Sequence, residues 1–182
     1  MGLRRRSSFE TQGVTVFVTT TVMNFDRVFG LGESYYRILL DSLKFVLQEH
    51  KAVLYAYVFM PSHLHLVLRM PEGERLTDLM RDFKKFTSTK IRQQLERDNQ
   101  VDWIELLRRN SKGKRGQVFK LWMDRFDDVV VYTEDVMRTK VEYIHQNPVK
   151  AGLVDKAEDW QFSSARNYLT GDHSLIRVGV GW

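Results

Sequence analysis

The run Val53–Met70, VLYAYVFMPSHLHLVLRM, constrains this chain more than any other stretch. It is almost unbroken in apolar, aromatic and β-branched residues, is interrupted by Pro61-Ser62, and holds two histidines one residue apart. Two short arms around a proline-serine breaker predict an antiparallel hairpin, Val53–Met60 and Leu64–Leu68, with His63 and His65 early in the second arm. Side chains alternate faces along a strand, so both imidazoles leave the same side of the sheet. Leu64, Leu66 and Leu68 then face a core, while His63, His65 and Val67 line the other face. Two imidazoles so placed suit one divalent metal but fill only half a coordination shell. A His-x-His pair is also a common accident of sequence, and by itself reads first as two ordinary surface or core groups; the alternation of Leu64, Leu66 and Leu68 against His63 and His65 is what lifts it above that.

At 182 residues the chain is long enough for one domain with its own core. Its 43% hydrophobic and 28% charged residues are those of an ordinary globular protein, so disorder is not expected. The absence of cysteine excludes disulfides, thiolate nucleophiles and Cys-ligated zinc, and leaves histidine, carboxylate and amide groups to hold any metal. The basic start Met1–Arg6 is followed by no apolar segment and no run reaches membrane-spanning length, which predicts a cytoplasmic protein without a membrane partner. The formal net charge of +5 allows a polyanionic partner.

Val14–Val22, VTVFVTTTV, predicts a first, central strand. Glu33–His50 repeats apolar residues at a helical period, as does Leu76–Leu95, which carries basic residues on its other side. Beyond Asp98 the pattern weakens into a short helix, Val101–Arg109, and an exposed Gly/Lys/Arg/Ser loop; residues 98–117 read as an insertion. Val118–Phe126 predicts the last strand. Thr133 caps a helix over Asp135–Gln146 that Asn147-Pro148 should close, because the residue before proline is pushed out of the α region. This order predicts an α+β, ferredoxin-like sandwich: a four-stranded antiparallel sheet, helices on one face, the histidines on the open face, and a further C-terminal helix. Residues 1–12 form a basic tail and 170–182 a C-terminal one.

In the last long helix Met137, Val141 and Ile144 make the buried stripe. Tyr143 and Asn147, four apart, share another stripe with Lys140 on the same side. Taken without further context they read as a boundary aromatic and a helix stop.

Three separated motifs carry a resemblance. Tyr57–Leu68 with its Met-Pro-Ser-His-Leu-His, Tyr143–Val154 with Tyr-Ile-His-Gln-Asn-Pro, and the closing Trp160-Gln161-Phe162-Ser163-Ser164-Ala165 together resemble the single-tyrosine HUH transposases, in particular the REP-associated branch. The likeness runs from about Val14 to about Leu169. It implies that His63, His65 and Asn147 hold Mg2+ or Mn2+, that Tyr143 is the nucleophile, and that the last helix is catalytic. It also implies a substrate of single-stranded DNA, folded as a hairpin and nicked and rejoined through a 5′-phosphotyrosine link, by a monomer or a homodimer. Ser62 stands where the family usually has asparagine, a turn-compatible change. The candidate contacts to the DNA backbone are Arg4, Arg5, Arg6, Lys84, Lys85, Arg108, Arg109, Lys112, Lys114 and Arg115, with Lys140 beside the phosphate and Trp122 as either a base-stacking or a core residue. Two other functions stay open at this point: a nonenzymatic binder of DNA or RNA hairpins on the same scaffold, and a phosphodiesterase that works through activated water.

Overall fold

The computed structural model describes residues 13–111 and 118–181. Four strands, β1 (Thr15–Thr21), β2 (Val53–Phe59), β3 (His63–Arg69) and β4 (Asp127–Val130), form one sheet in the order β2-β3-β1-β4. Every pairing is antiparallel. With α1 (Glu33–Glu49) and α2 (Leu76–Arg97) between strands, this is the α+β, ferredoxin-like arrangement that the sequence predicts. The β2–β3 turn closes where Met60 N–H meets the His63 carbonyl at 2.8 Å, with Pro61 and Ser62 at its tip.

Alternation along β3 separates two cores. Leu64, Leu66 and Leu68, all fully buried, pack with Leu39, Leu43, Leu79 and Phe83 from α1 and α2. On the opposite face Phe17, Ala56, Val58 and Val67 meet Met137, Val141 and Ile144 of α4 (Glu134–Lys150). The face expected to lie open is therefore covered over β2 and β3, because the apolar stripe of α4 has to be buried somewhere and this face is apolar enough to receive it. The short helix α3 (Val101–Arg109) inserts Leu107 into the first core.

Two further expectations are corrected. The last strand is Asp127–Val130 and not Val118–Phe126. The earlier segment spends its backbone elsewhere, Lys120 N–H donating to the Leu107 carbonyl of α3 at 3.0 Å, and it makes a single bridge, Trp122 with Val22, instead of pairing along a neighbouring strand. Trp122 is 5% exposed and donates its indole N–H to Thr87 Oγ1 at 2.9 Å, which settles it as a core residue. Nor does Asn147-Pro148 end α4. Thr133 caps the start, accepting from Val136 N–H at 3.3 Å. The helix then carries Pro148 in its final turn, where the missing N–H forfeits only one helical bond. Closure comes at Gly152, whose φ of 65° is the left-handed geometry glycine tolerates, with Leu153 N–H returning to the Pro148 carbonyl at 3.0 Å.

The outer edge of β2 is covered too. Phe59 N–H donates to the Phe162 carbonyl and Ser164 N–H to the Tyr57 carbonyl, both at 2.9 Å, so residues 162–164 lie along it as a strap. The short helix α5 (Ala165–Leu169) follows. Among the described residues no helix is long and apolar enough to cross a membrane.

Leu66 is fully buried in a strand paired on both sides. Leu66→Ala should cost about 2–5 kcal/mol. The check is urea denaturation, with a lowered midpoint at an unchanged slope.

Candidate functional site

His63 and His65 leave the same face of β3, with ring centroids 5.0 Å apart. The partner strand aims them. Thr19 lies opposite His65 and Thr21 opposite His63. Thr19 Oγ1 sits 2.8 Å from His65 Nδ1, and the Phe17 ring stacks on the same imidazole at 5.4 Å and 18°. With Nδ1 engaged, His65 Nε2 is buried and has no hydrogen-bond partner among the described residues. A buried imidazole nitrogen left without a partner has its lone pair or proton free for a further group, and is chemically suited to ligate a metal ion. His63 is half-buried; its Nδ1 lies 3.2 Å from Ser62 Oγ, and it shares a side-chain hydrogen bond with Asn147.

α4 supplies the other groups. The Tyr143 ring lies 5.2 Å from the His65 ring and 5.9 Å from Phe17, edge-on to both, and is 41% exposed. Asn147, one turn further on, reaches His63. The two stripes of the helix thus do different jobs: one packs on the sheet, the other puts a phenol and an amide beside the imidazoles. Lys140 stands on the Tyr143 side, its Nζ 4.6 Å from the centre of the Phe17 ring. Lys150, which the sequence reading passed over, places its Nζ 6.0 Å from the centre of the Tyr143 ring. The signal for it was present, since seven residues make nearly two full helical turns and return a side chain to the same stripe. Phe17 and Thr19 were also missed, though alternation along Val14–Val22 sets them on one face; only the register shows that this face meets the histidines.

The described residues contain no group of three His, Cys, Asp or Glu side chains able to hold a metal ion. A divalent ion here would need two imidazoles and the Asn147 amide. The orphaned His65 Nε2 and the contact of Asn147 with His63 fit that set.

The expected DNA-contacting cations divide. Lys85 and Arg108 are exposed and, with Arg92, line a cleft of about 780 Å³ between α2 and residues 118–124. Lys84 is otherwise employed: its ammonium donates to the main-chain carbonyls of Met123 at 2.9 Å and Arg125 at 3.1 Å, and burial pulls its pKa down to about 8. It fastens that segment to α2 instead of reaching outward. Arg109 is exposed on α3. Arg4, Arg5, Arg6, Lys112, Lys114 and Arg115 lie outside the described residues.

Residues 27–147, a span that encloses His63, His65, Tyr143 and Asn147, match the family model described as IS200-like transposase. A REP-associated tyrosine transposase of Escherichia coli (strain K12) is 26% identical over 155 residues, covering 84% of this chain and 77% of that protein. A Haemophilus influenzae relative, provisionally given the same name, is 26% identical over 109 residues, which span 60% of this chain and 56% of its own length. The solved structure of a REP-associated tyrosine transposase bound to a REP hairpin shares the fold, with a TM-score of 0.67 at 24% identity, covering 100% of this chain and 94% of that one.

Burial keeps the site histidines neutral. It pushes the His65 pKa from 6.5 down to about 3, with the nearby His63 and Lys140 adding to the effect. His63 is lowered by burial as well, and its hydrogen bond with Asn147 works against that shift. His145, on the far side of α4, is brought by burial to about 4. A histidine depressed by folding costs no stability above its unfolded pKa. As pH falls through that value the unfolded chain takes up the proton first, and stability is lost until the folded pKa is reached. His65 and His145 should each remove about 2 kcal/mol between pH ~6.5 and ~5. Urea midpoints measured across that window should fall with pH, and a flat profile would contradict the burial assigned to both rings.

Proposed function

The chain belongs to the IS200-like transposase family, and from that premise we propose that it nicks and rejoins single-stranded DNA through a covalent 5′-phosphotyrosine link on Tyr143. One observation carries the reading: a half-exposed phenol on a helix stands 5.2 Å from a buried, half-satisfied imidazole on a strand, within a single chain. Neither packing nor solubility calls for that pairing, and a binder of nucleic acid has no use for it.

In the proposed step Tyr143 Oη attacks the scissile phosphorus in line with the leaving 3′ oxygen. A P–Oη bond forms and the P–O3′ bond breaks. The phenolic proton passes to solvent, to which Tyr143 is open, and the departing 3′ oxygen is protonated in turn. The products are a 5′-phosphotyrosine and a free 3′-hydroxyl. Attack by a 3′-hydroxyl on the same phosphorus reverses the step and restores the phenol. Each exchange conserves one phosphoester, so no nucleotide hydrolysis is needed.

A free phenol near pKa ~10 is a weak nucleophile at neutral pH, so the phosphate has to be made a better electrophile. Lys140 and Lys150, on either side of Tyr143, offset charge on the non-bridging oxygens. Thr19 holds the orientation of His65, and the Phe17 ring limits its rotation. Mg2+ or Mn2+ held by His63, His65 and Asn147 would supply Lewis-acid stabilisation of the same oxygens when bound. Two imidazoles and an amide form a neutral set with nitrogen donors, which suits manganese at least as well as magnesium.

The substrate that fits best is a single strand of DNA carrying a hairpin, and the solved structural neighbour is bound to a REP hairpin. An unpaired strand gives both tyrosine and imidazoles access to its phosphate. The cleft between α2 and residues 118–124 offers Lys85, Arg92 and Arg108 to the adjoining backbone. A substrate of cellular DNA accords with the cytoplasmic location that the sequence predicts.

The test is covalent trapping. A labelled hairpin strand incubated with the protein and Mn2+ should give an adduct on a denaturing gel, lost in Tyr143→Phe and in His65→Ala. Cleavage without an adduct would instead mean attack by water, and binding without cleavage a scaffold that only recognises DNA. Separately, Arg108→Ala should weaken strand binding for all sequences alike and reduce the slope of log K against log salt by about 1. Titrations at several salt concentrations measure it, and an unchanged slope would remove the cleft from the DNA path.

A further inference from the structure

We infer that His145 and Ser164 form a latch that fixes the rotation of α4, making His145 a positioning residue for Tyr143 and Asn147; the inference rests on the function proposed above.

His145 lies midway between those two residues in sequence. At ~100° per residue its side chain leaves the helix ~200° away from either, on the side turned from the imidazoles. It is 8% exposed, and its Nε2 is 2.9 Å from Ser164 Oγ. Ser164 is fully buried in the strap along β2. Its hydroxyl oxygen receives the Tyr57 N–H at 3.0 Å and stands 3.3 Å from the Tyr57 carbonyl. One hydroxyl therefore joins α4 to the backbone of β2, the strand beside the one that carries His63 and His65. The arrangement serves either imidazole tautomer. A protonated Nε2 donates to Oγ and the hydroxyl turns to the Tyr57 carbonyl; a bare Nε2 accepts from the hydroxyl. The Tyr168 ring, 5.0 Å from His145, closes the pocket, and its own hydroxyl donates to the Tyr55 carbonyl at 3.0 Å.

Packing alone would not do this. Met137, Val141 and Ile144 hold α4 against the sheet, but apolar contact is non-directional and a methionine adapts to small displacements. A turn of about 20° moves a group at the outer helix radius of ~6 Å by ~2 Å. Misplacement by ~1 Å can already cost ~100-fold in rate. A hydrogen bond with a narrow angular range, set opposite Tyr143, resists that turn. The same contact gives Ser164 of the closing motif a role beyond that of its neighbour Ser163, whose hydroxyl accepts from Ala165 N–H at 3.2 Å, since a strap needed only to cover an edge strand could be built from any small residues.

The measurement is the single-turnover rate of covalent adduct formation at saturating hairpin DNA with Mn2+, beside the DNA dissociation constant and the thermal midpoint of each variant. Ser164→Ala and His145→Phe should each slow adduct formation about 10- to 100-fold. DNA affinity should stay within about twofold, because neither residue faces the strand. The double variant should be no slower than the slower single one, as expected for two halves of one contact. Ser164→Thr, which keeps the hydroxyl, should recover most of the rate. If His145→Phe fails to fold, Ser164→Ala and Ser164→Thr decide the matter together. A lowered midpoint with an unchanged rate below it would reduce the pair to a structural contact and overturn the latch. A wild-type chain that forms no adduct removes the proposed function and the latch with it, whereas an adduct whose rate ignores both substitutions removes the latch alone.

Discussion

The docking of α4 on the second face of the sheet is the contact on which everything else rests. Met137, Val141 and Ile144 bury against Ala56, Val58 and Val67, and that burial carries Tyr143 to the histidines. The two kinds of residue on this helix have opposite requirements. The apolar stripe gains from dryness, while Tyr143, in the role proposed for it, has to remain open to a strand of DNA. A helix meets both because its faces diverge by a fixed angle per residue, so the spacing of three and four that packs one stripe leaves the other at the rim.

Much of this was legible beforehand. The hairpin, its His-x-His and both long helices were readable because each rests on a local periodicity: alternation in β3, a 3.6-residue repeat in α1 and α2. The α4 stripe was equally plain, and the motifs at Tyr57–Leu68 and Tyr143–Val154 carried the family. What failed was where tertiary packing overrides local preference. Val118–Phe126 has the composition of a strand, but Lys120, Leu121 and Trp122 are buried together under α2, and the short Asp127–Val130 takes its place beside β1. Asn147-Pro148 has the form of a helix stop, yet the helix continues for two more residues because its end is fixed by burial of Pro148 and by the turn at Gly152.

The surroundings of the histidines were hidden for a different reason. Phe17 and Thr19 lie more than forty residues from His65, and nothing along the chain announces which residue a strand will oppose. Lys84 teaches the complementary lesson. It belongs to a run of basic residues and counts as surface charge by composition, but its length lets it bend back and satisfy two carbonyls. A positive residue in a DNA-processing protein is not thereby a DNA contact.

The groups gathered around Tyr143 come from β1, β3 and α4, and α4 is itself held from behind by the strap at 162–164. None of the early segments can assemble the centre without the late ones, and their meeting spans most of the chain, which slows formation of the native topology. During synthesis the first half can form its hairpin and the part of the first core that α1 and the start of α2 supply, while the phenol is still absent and the β2 edge uncovered. An enzyme able to cut DNA is thereby kept harmless until the strap at residues 162–164 has emerged and locked behind α4, a safeguard written into the order of its parts.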